Sequence, residues 1–139
     1  MHLATLSKRR DLHIALRAHR DAGKPILAEC GGLLFALESL ANRDGNEAPM
    51  AGLLAGRAVL QSRLTALGMQ SVALPEGTLR GHTFHYARAW IDEKPLAQAS
   101  NPNNGPCQEA VYRDRRLTAS FVHFYFPSNP LAAQRLFLP

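Results

Sequence analysis

The chain has 139 residues, is 46% hydrophobic and 19% charged, and carries a formal net charge of +5. This length allows one domain with one core, over 1–139, because domains commonly run to ~100–150 residues. No long apolar run and no signal-peptide pattern occurs, so neither membrane spanning nor secretion is indicated and the cytoplasm is the expected location. The basic residues are scattered and not interleaved with aromatic side chains, which argues against nucleic-acid binding.

The first forty residues alternate between helix and strand patterns. A first helix is predicted from an N-cap at Ser7 to about Ala22, where Gly23 stops it. Its buried side is predicted to hold four apolar residues, Leu12, Ile14, Ala15 and Leu16. The apolar run 26–28 then predicts a buried strand, and 33–40 predicts a helix that is apolar nearly all round. This order, with a glycine turn between strand and helix, is typical of an α/β fold.

The remainder favours strands before a final helix. A polar loop is predicted at 42–49. The predicted strands are 57–63, 68–74, 78–91, 109–113 and 117–126, with separators at Gly68 and 75–77, a turn-rich stretch at 99–107 and a hairpin around 113–115. Ser128 or Asn129 is the expected cap of the last helix, 131–137. We expect a three-layer domain with a mostly parallel central sheet, extended by antiparallel strands within 57–126.

Cys30 lies between the predicted buried strand and the helix that follows it. A nucleophile in such a turn projects from the top of the sheet, and the backbone N–H groups after it, first that of Gly31, can stabilise an oxyanion. The turn is expected to need small neighbours, and the helix N-terminus is expected to lower the thiol pKa. A cysteine before two glycines is also compatible with a structural role. Cys30 and Cys107 do not form a disulfide framework.

A thiol nucleophile needs a base, so the six histidines are candidates. Three lie on or before the first helix and are expected at the surface: His2, His13 and His19. His82 and His85 fall on opposite faces of a predicted strand, which is a poor chelate, so no metal site is expected. His123 ends an apolar strand, where a satisfied core histidine and a catalytic base are both compatible with the spacing.

Four sequence blocks carry a resemblance to a known family. They are 28–32 (AECGG), 50–54 (MAGLL), 80–86 (RGHTFHY) and 119–130 (ASFVHFYFPSNP). In this order they resemble the C-terminal glutamine amidotransferase domain of the cobyrinate a,c-diamide synthase family, a class I, triad-type domain. The resemblance spans nearly the whole chain. It implies an α/β, flavodoxin-like fold with a mixed central sheet and a nucleophile elbow at Cys30.

The resemblance implies an enzyme that hydrolyses glutamine. Cys30 would attack the side-chain amide, form a glutamyl thioester and release ammonia, with His123 as base and then acid in a Cys–His dyad. In the family, the ammonia goes to a synthetase domain that uses ATP and magnesium to amidate the a and c carboxylates of cobyrinate or hydrogenobyrinate. His82, His85 and Tyr86 are expected to shape the junction with that domain or its substrate, with packing at a strand end as the alternative.

Some positions depart from the family pattern. Many relatives carry an acid between the two histidines of the third block, where this chain has Thr83. Other triad amidotransferases carry Glu two residues after the catalytic histidine, where this chain has Tyr125; the corrinoid branch also lacks that acid, so a backbone carbonyl is expected to orient His123. No phosphate-binding loop with Lys and Ser/Thr occurs, so ATP and magnesium are expected in the synthetase domain and no cofactor in this chain.

The length of the chain bears on its activity. The family has strands and an oxyanion-hole loop ahead of the first helix that this sequence does not contain, so it resembles an N-terminally truncated domain. The expected partners are glutamine and, through the synthetase domain, a corrinoid; a homodimer is allowed. Two other functions stay open, which are a catalytically silent remnant that only binds a partner and another cysteine hydrolase, of γ-glutamyl type, on the same fold.

Overall fold

A computed structural model describes residues 3–103 and 108–138. Its helices are α1 (Leu3–Lys8), α2 (Arg10–Asp21), α3 (Gly31–Ala36) and α4 (Pro130–Arg135), and a 3-10 turn, Phe126–Ser128, precedes α4. Its strands are β1 (Ile26–Glu29), β2 (Ser39–Ala41), β3 (Glu47–Pro49), β4 (Gly56–Leu60), β5 (Ala66–Leu74), β6 (Gly77–His85), β7 (Ala87–Ile91), β8 (Ala97–Gln98), β9 (Ala110–Asp114), β10 (Leu117–Ser120) and β11 (His123–Tyr125). None of these helices has the length and apolar character that crossing a bilayer requires.

The described strands form three sheets, ordered β1-β10-β9-β8, β11-β6-β5 and β3-β2-β4-β7. β1 pairs with β10, and β2 with β4, in parallel, whereas the other pairings are antiparallel. The predicted α/β class with mixed sheets and an antiparallel extension is confirmed, but a mostly parallel central sheet is wrong. Two-residue turns at 75–76 and 115–116 join consecutive strands, and such short connections permit only antiparallel pairing.

The first helical segment is interrupted at Arg9, whose backbone has φ −78° and ψ 58°. The prediction of one helix capped by Ser7 is therefore wrong. Ser7 lies inside α1, where its hydroxyl donates to the carbonyl oxygen of Ala4 at 3.1 Å. The predicted stop is confirmed, because Gly23 follows α2 with φ 70°, a conformation that glycine adopts without a steric penalty.

The buried face of α2 also differs from the prediction. His13 is 6% exposed and not at the surface. Its Nε2 lies 3.0 Å from the carbonyl oxygen of Leu6, and its ring meets that of Phe35 edge-on. Ile14 and Ala15 are exposed, whereas the other two predicted residues, Leu12 and Leu16, are half-buried. The hydrogen-bonded ring of His13 thus occupies part of the face that the helical periodicity predicted to be apolar.

The helix after Cys30 is shorter than predicted. It ends at Ala36, and the residues that were expected to complete it form β2. Leu37 and Leu40 are fully buried, which is compatible with either a buried helix or a buried strand, so an apolar run does not separate the two. β2 pairs with both β3 and β4, and the predicted polar loop at 42–49 therefore contains a strand.

The later elements follow the prediction apart from an unpredicted strand, β8, and three other changes. The predicted strand 78–91 is divided at Tyr86, and 117–126 is divided at 121–122. Gly68 lies within β5 and does not separate strands. The hairpin around 113–115 is confirmed, as is a cap for the last helix, because the Asn129 side chain accepts the N–H of Ala132 at 3.1 Å. Within the predicted turn-rich stretch, 104–107 lies outside the described residues.

Two apolar clusters fix the site-bearing strands. One packs α3 against β1 and β10 and includes Leu33, Leu34 and Leu117. The other holds β6, β9 and α4 together and includes Leu79 and Val111. Because β1 and β10 are parallel, their carboxyl ends meet at one edge, and β9 begins at the same edge. The segment that follows β1 and the segment that follows β10 therefore begin next to each other.

Candidate active site

Cys30 occupies the sharp turn between β1 and α3, with φ 49° and ψ −104°. A residue with a side chain rarely adopts a positive φ, and holding it there costs about 1–3 kcal/mol. Two hydrogen bonds fix the turn. The N–H of Cys30 donates to the carbonyl oxygen of Ser120 at 2.8 Å, and the N–H of Leu34 donates to the carbonyl oxygen of Cys30 at 3.1 Å. Strained turns between a strand and a helix carry the catalytic nucleophile in other enzymes. The catalytic role of its thiol stays a prediction.

Burial raises the pKa of the Cys30 thiol above its ordinary value. The carboxylates of Glu109 and Glu29 act in the same direction, and a hydrogen bond from the backbone of Gly31 acts against them. The prediction of a lowered thiol pKa is therefore wrong. α3 has only six residues, and its N–H groups do not outweigh the loss of water around the sulfur. A thiol that keeps its proton needs a base before it can attack.

Open space surrounds the first glycine of α3. Apart from its chain neighbours and the backbone of α3, no heavy atom of the described residues would lie within 4 Å of a Cβ built on Gly31, and a Cβ on Gly32 would lie 3.7 Å from that of Ala28. The chain itself does not require a glycine at 31, so the expectation that the turn needs small neighbours is wrong there. Gly31 follows Cys30 directly in the chain, so its N–H is the nearest candidate donor to an oxyanion formed at that thiol.

His123 is held against β6. The antiparallel pairing of β11 with β6 places His123 opposite His82, and the two rings stack with centroids 5.1 Å apart and planes inclined by 14°. Within the described part of the chain, the His123 ring makes no hydrogen bond, so the expected backbone carbonyl partner is not found. The ring of His82 is the contact that restrains it instead.

Glu29 connects the turn of Cys30 to the strand of His123, a contact that the sequence did not reveal. Its Oε1 accepts the N–H of Phe124 at 2.8 Å, and the neighbouring Cys30 donates to Ser120. Glu29 and Cys30 are thus hydrogen-bonded to Phe124 and Ser120, the residues that flank 121–123. The available signal was a carboxylate at the end of a buried strand, where a charged side chain needs a partner.

Gly81 permits the close approach of β11 to β6. A Cβ at this position would overlap the carbonyl oxygen of His123 and crowd the side chain of Val122. A glycine within a strand pattern is the sequence signal for such a close backbone approach, but the pattern does not say which strand approaches. Gly81 therefore belongs to the parts of the fold that set the position of His123.

Of the three residues expected at a junction, His82 and His85 lie on opposite faces of β6, and Tyr86 follows its last residue. His82 and Tyr86 are exposed, whereas His85 is 7% exposed. The predicted opposite facing of the two histidines is confirmed. The exposed face carries a cluster of apolar and aromatic side chains, namely Leu67, Met69, Phe84, Tyr86 and Tyr125. Of the three, His82 and Tyr86 are therefore accessible and His85 is not.

His85 belongs to a buried polar network. Its Nδ1 lies 3.0 Å from the carbonyl oxygen of Ala87, and its Nε2 lies 2.9 Å from Oε1 of Glu109. The hydroxyl of Thr83 donates to the same carboxylate oxygen at 3.2 Å, and the ring of His85 stacks on that of Phe121 with centroids 3.8 Å apart. Both ring nitrogens of His85 thus lie within hydrogen-bond distance of oxygen atoms, which fixes the ring within this network.

A cavity of about 380 Å³ adjoins this network, with Glu109, Tyr112, Phe121 and Arg88 in its wall. Burial and then the charge of Glu109 raise the pKa of Tyr112, as the same charge does for Cys30. Glu109 therefore acts on both the cavity wall and the Cys30 thiol. No group of three or more His, Cys, Asp or Glu side chains that could hold a metal ion occurs in 3–103 and 108–138. His2 and Cys107 lie outside the described residues.

Comparison with known proteins gives one family and close relatives. Residues 1–131 match the CobB/CobQ-like glutamine amidotransferase domain. The chain is 53% identical over 139 residues to the hydrogenobyrinate a,c-diamide synthases of Stutzerimonas stutzeri (strain A1501) and Pseudomonas aeruginosa (strain PAO1). It is 43% identical to the cobyrinate a,c-diamide synthase of Herminiimonas arsenicoxydans. Each alignment covers 100% of this chain and 32% of the relative, so the chain spans about a third of their length.

Proposed function

The chain belongs to the CobB/CobQ-like glutamine amidotransferase domain family, and from this premise we propose that it hydrolyses glutamine, with Cys30 as nucleophile and His123 as base and acid. The observation that carries the proposal is the strained turn of Cys30, tied through Ser120 and Glu29 to the two sides of the segment that leads to His123. A positive φ at a cysteine, between a strand and a helix, is a conformation that the rest of the fold must maintain.

The proposed reaction has two steps. The thiol proton passes to His123 as the sulfur of Cys30 bonds to the amide carbon of the glutamine side chain, and the N–H of Gly31 donates to the oxyanion. Collapse of this intermediate breaks the carbon–nitrogen bond, and the proton leaves His123 with the nitrogen as ammonia. Water then attacks the glutamyl thioester with His123 as base, which releases glutamate and returns a proton to the thiolate.

The raised pKa of the Cys30 thiol supports a base-assisted first step. Because burial and two carboxylates favour the protonated thiol, little thiolate exists at neutral pH and the proton must be removed during the attack. An imidazole is suited to that role, since its charge changes near neutral pH. Cys30 and His123 are thus proposed to act as one unit, in which neither side chain is sufficient.

We further propose that the ammonia is used to amidate a corrinoid. Relatives that the whole chain matches are named hydrogenobyrinate and cobyrinate a,c-diamide synthases, and the remaining two thirds of their length leave room for a synthetase domain. The proposed acceptors are the a and c carboxylates of that corrinoid, activated with ATP and magnesium in the synthetase domain. This sequence contains no phosphate-binding loop with Lys and Ser/Thr, which is why ATP is assigned to the partner domain.

The exposed aromatic face of β11-β6-β5 is the proposed contact for that partner. Leu67 lies opposite Phe84 and Met69 opposite His82, so the apolar side chains are contiguous with the His82–His123 stack. A hollow of about 470 Å³, walled by Met69 and Tyr125 among others, opens on the same face. Contiguous exposed apolar side chains mark interaction sites. A domain docked there would receive ammonia beside His123 and away from bulk water.

Ammonia release from glutamine tests the proposal. The chain, alone and fused so that the full length of the Stutzerimonas stutzeri relative is restored, should release ammonia and glutamate in equal amounts, and Cys30→Ala and His123→Ala should each abolish the release. Cys107→Ser is the matched control and should keep the wild-type rate.

Two results would each favour another function. No ammonia from the chain or the fusion, with iodoacetamide labelling Cys30 no faster than Cys107, would indicate a catalytically silent domain that binds a partner. Turnover of a γ-glutamyl peptide without turnover of free glutamine would indicate a different cysteine hydrolase on the same fold. Either result would overturn the glutaminase proposal.

A further inference from the structure

His123 lacks the side-chain partner that would hold it as a general base. The residue two positions later is Tyr125, which is 62% exposed and carries no carboxylate. Among the described residues, the ring of His123 makes no hydrogen bond. A general base must nevertheless be held within hydrogen-bond reach of the proton it abstracts. The contacts that remain around His123 are a main-chain hydrogen bond on one side and a ring stack on the other.

The main-chain contact is the hydrogen bond from Phe124 to Glu29. Among the described strands, β11 pairs with β6 alone, so no described strand on its other edge accepts an N–H group. The carboxylate of Glu29 takes that place, with its Oε1 2.8 Å from the nitrogen of Phe124. Phe124 is 9% exposed, and a nearly buried N–H without an acceptor is costly. Within the described residues this N–H is the donor that the Glu29 carboxylate binds.

The position of Glu29 gives this hydrogen bond a particular consequence. Glu29 precedes Cys30, and Phe124 follows His123, so one bond joins the residues next to the proposed nucleophile and base. A charged acceptor makes a shorter and stronger hydrogen bond than a neutral one. The position of β11 relative to the turn of Cys30 is therefore set by this side-chain bond together with the backbone bond from Cys30 to Ser120.

The ring contact is the stack on His82. His82 lies directly across from His123 on β6, and the rings are nearly parallel, inclined by 14°. Gly81 allows the two strands to approach closely enough for this contact. Offset stacking of planar rings restricts rotation of the second ring about its terminal torsion. The stack thus limits the orientation of the imidazole, as the hydrogen bond to Glu29 limits the position of its backbone.

We propose that Glu29 and His82 are positioning residues for His123, and that together they perform the task of the acid that other triad amidotransferases carry. Glu29 sets where the backbone of His123 lies relative to Cys30, and His82 sets the plane of its ring. Neither is assigned a contact with glutamine. The inference rests on the proposed glutaminase function for its catalytic consequence, whereas its geometric part is independent of turnover.

Paired variants separate positioning from charge and from general stability. Glu29→Gln and Glu29→Ala both remove the negative charge near the thiol, but only Gln keeps an acceptor oxygen for Phe124. We expect Glu29→Ala to lower kcat for glutamine roughly 10- to 100-fold with little change in KM, since small misplacements of catalytic groups cost on that order. Glu29→Gln should retain most of the activity. His82→Phe, which keeps a ring, should likewise exceed His82→Ala in kcat.

The midpoint pH for alkylation of Cys30 by iodoacetamide provides a control for charge. Because the charge of Glu29 acts to raise the pKa of the thiol, both Glu29 variants should shift this midpoint downward by the same amount. An equal shift with unequal kcat assigns the loss to geometry. Equal losses of kcat in Glu29→Gln and Glu29→Ala, or no loss in either, would overturn the role of Glu29. Equal losses of kcat in His82→Phe and His82→Ala would overturn the role of His82.

Two NMR readouts keep the inference testable if the wild-type chain does not turn over glutamine, a result that would refute the proposed function and not this geometry. For Glu29, the amide hydrogen exchange of Phe124 should be at least about tenfold faster in Glu29→Ala than in wild type and Glu29→Gln, because an N–H without its acceptor opens more readily. For His82, the ring proton shifts of His123 should move in His82→Ala and stay near their wild-type values in His82→Phe. Exchange that is equal in all three proteins would overturn the Glu29 part, and equal shift changes in both His82 variants, or none in either, would overturn the His82 part.

Discussion

Gly31→Ala should separate the stability of the fold from its proposed chemistry. Apart from its chain neighbours and the backbone of α3, no heavy atom of the described residues would lie within 4 Å of the added Cβ, and Gly31 is not in the left-handed region that an alanine avoids. Alanine is favoured over glycine in helices by up to about 1 kcal/mol, and restricting the unfolded chain contributes about 0.4–1 kcal/mol. We therefore expect the free energy of unfolding to stay constant or to rise by up to about 1 kcal/mol.

The same methyl group should nevertheless impair glutamine hydrolysis. We expect it to hinder the oxygen of the tetrahedral intermediate as that oxygen approaches the N–H of Gly31. The substitution keeps the N–H but is expected to exclude the oxyanion from it, and an oxyanion without one of its donors lowers kcat by about 10²–10³, which corresponds to about 2.7–4 kcal/mol. Urea unfolding and a coupled assay for ammonia would measure the two effects on the same preparation.

Gly32→Ala is the matched control for this experiment. Its Cβ would make an ordinary contact of 3.7 Å with that of Ala28, and its N–H is not the proposed donor. Its stability should change in the same direction, and its kcat should fall much less than that of Gly31→Ala. A Gly31→Ala protein with wild-type kcat would refute the oxyanion assignment. One destabilised by more than about 1 kcal/mol would refute the inference that the space is open.

Three other changes have expected outcomes. Gly81→Ala should lower the free energy of unfolding by about 1–3 kcal/mol, because its Cβ overlaps the backbone of His123, and urea unfolding that matches wild type would contradict this. Since burial and then nearby carboxylates raise the thiol pKa above its ordinary value, the alkylation midpoint of Cys30 should lie at a higher pH than that of free cysteine, and Glu109→Gln should move it downward; a wild-type midpoint at or below that of free cysteine would refute the sign. Phe84→Ser should leave ammonia release and stability unchanged within about 0.5 kcal/mol while reducing corrinoid amidation in the full-length fusion, and unchanged amidation would argue against docking on that face.

Local sequence patterns predicted the element that carries the proposed nucleophile. An apolar run, a cysteine and two glycines specify a strand, a turn and a helix through contacts that lie within a few residues of one another, and β1, Cys30 and α3 follow that order. The opposite facing of His82 and His85 was also predictable, because side chains alternate along any strand. In both cases the deciding interaction is local.

The parts that sequence did not predict depend on distant partners. The burial of His13 requires the carbonyl oxygen of Leu6 and the ring of Phe35, and neither pairing is visible in a helical period. Glu29 acquires its role from Phe124, 95 positions away. The thiol pKa of Cys30 was predicted with the wrong sign, because the extent of its burial is a property of the assembled sheet edge and not of the turn.

Covalent labelling by a diazoketone analogue of glutamine tests the central claim most directly. The analogue reacts with a thiol that a glutamine-binding site activates, and peptide mapping by mass spectrometry locates the adduct. We predict one adduct per chain at Cys30, slowed by added glutamine, absent in Cys30→Ala and strongly reduced in His123→Ala. An adduct that forms equally at Cys107, or no adduct at Cys30 while iodoacetamide still reaches that thiol, would contradict the assignment of Cys30 and His123 as a glutaminase pair.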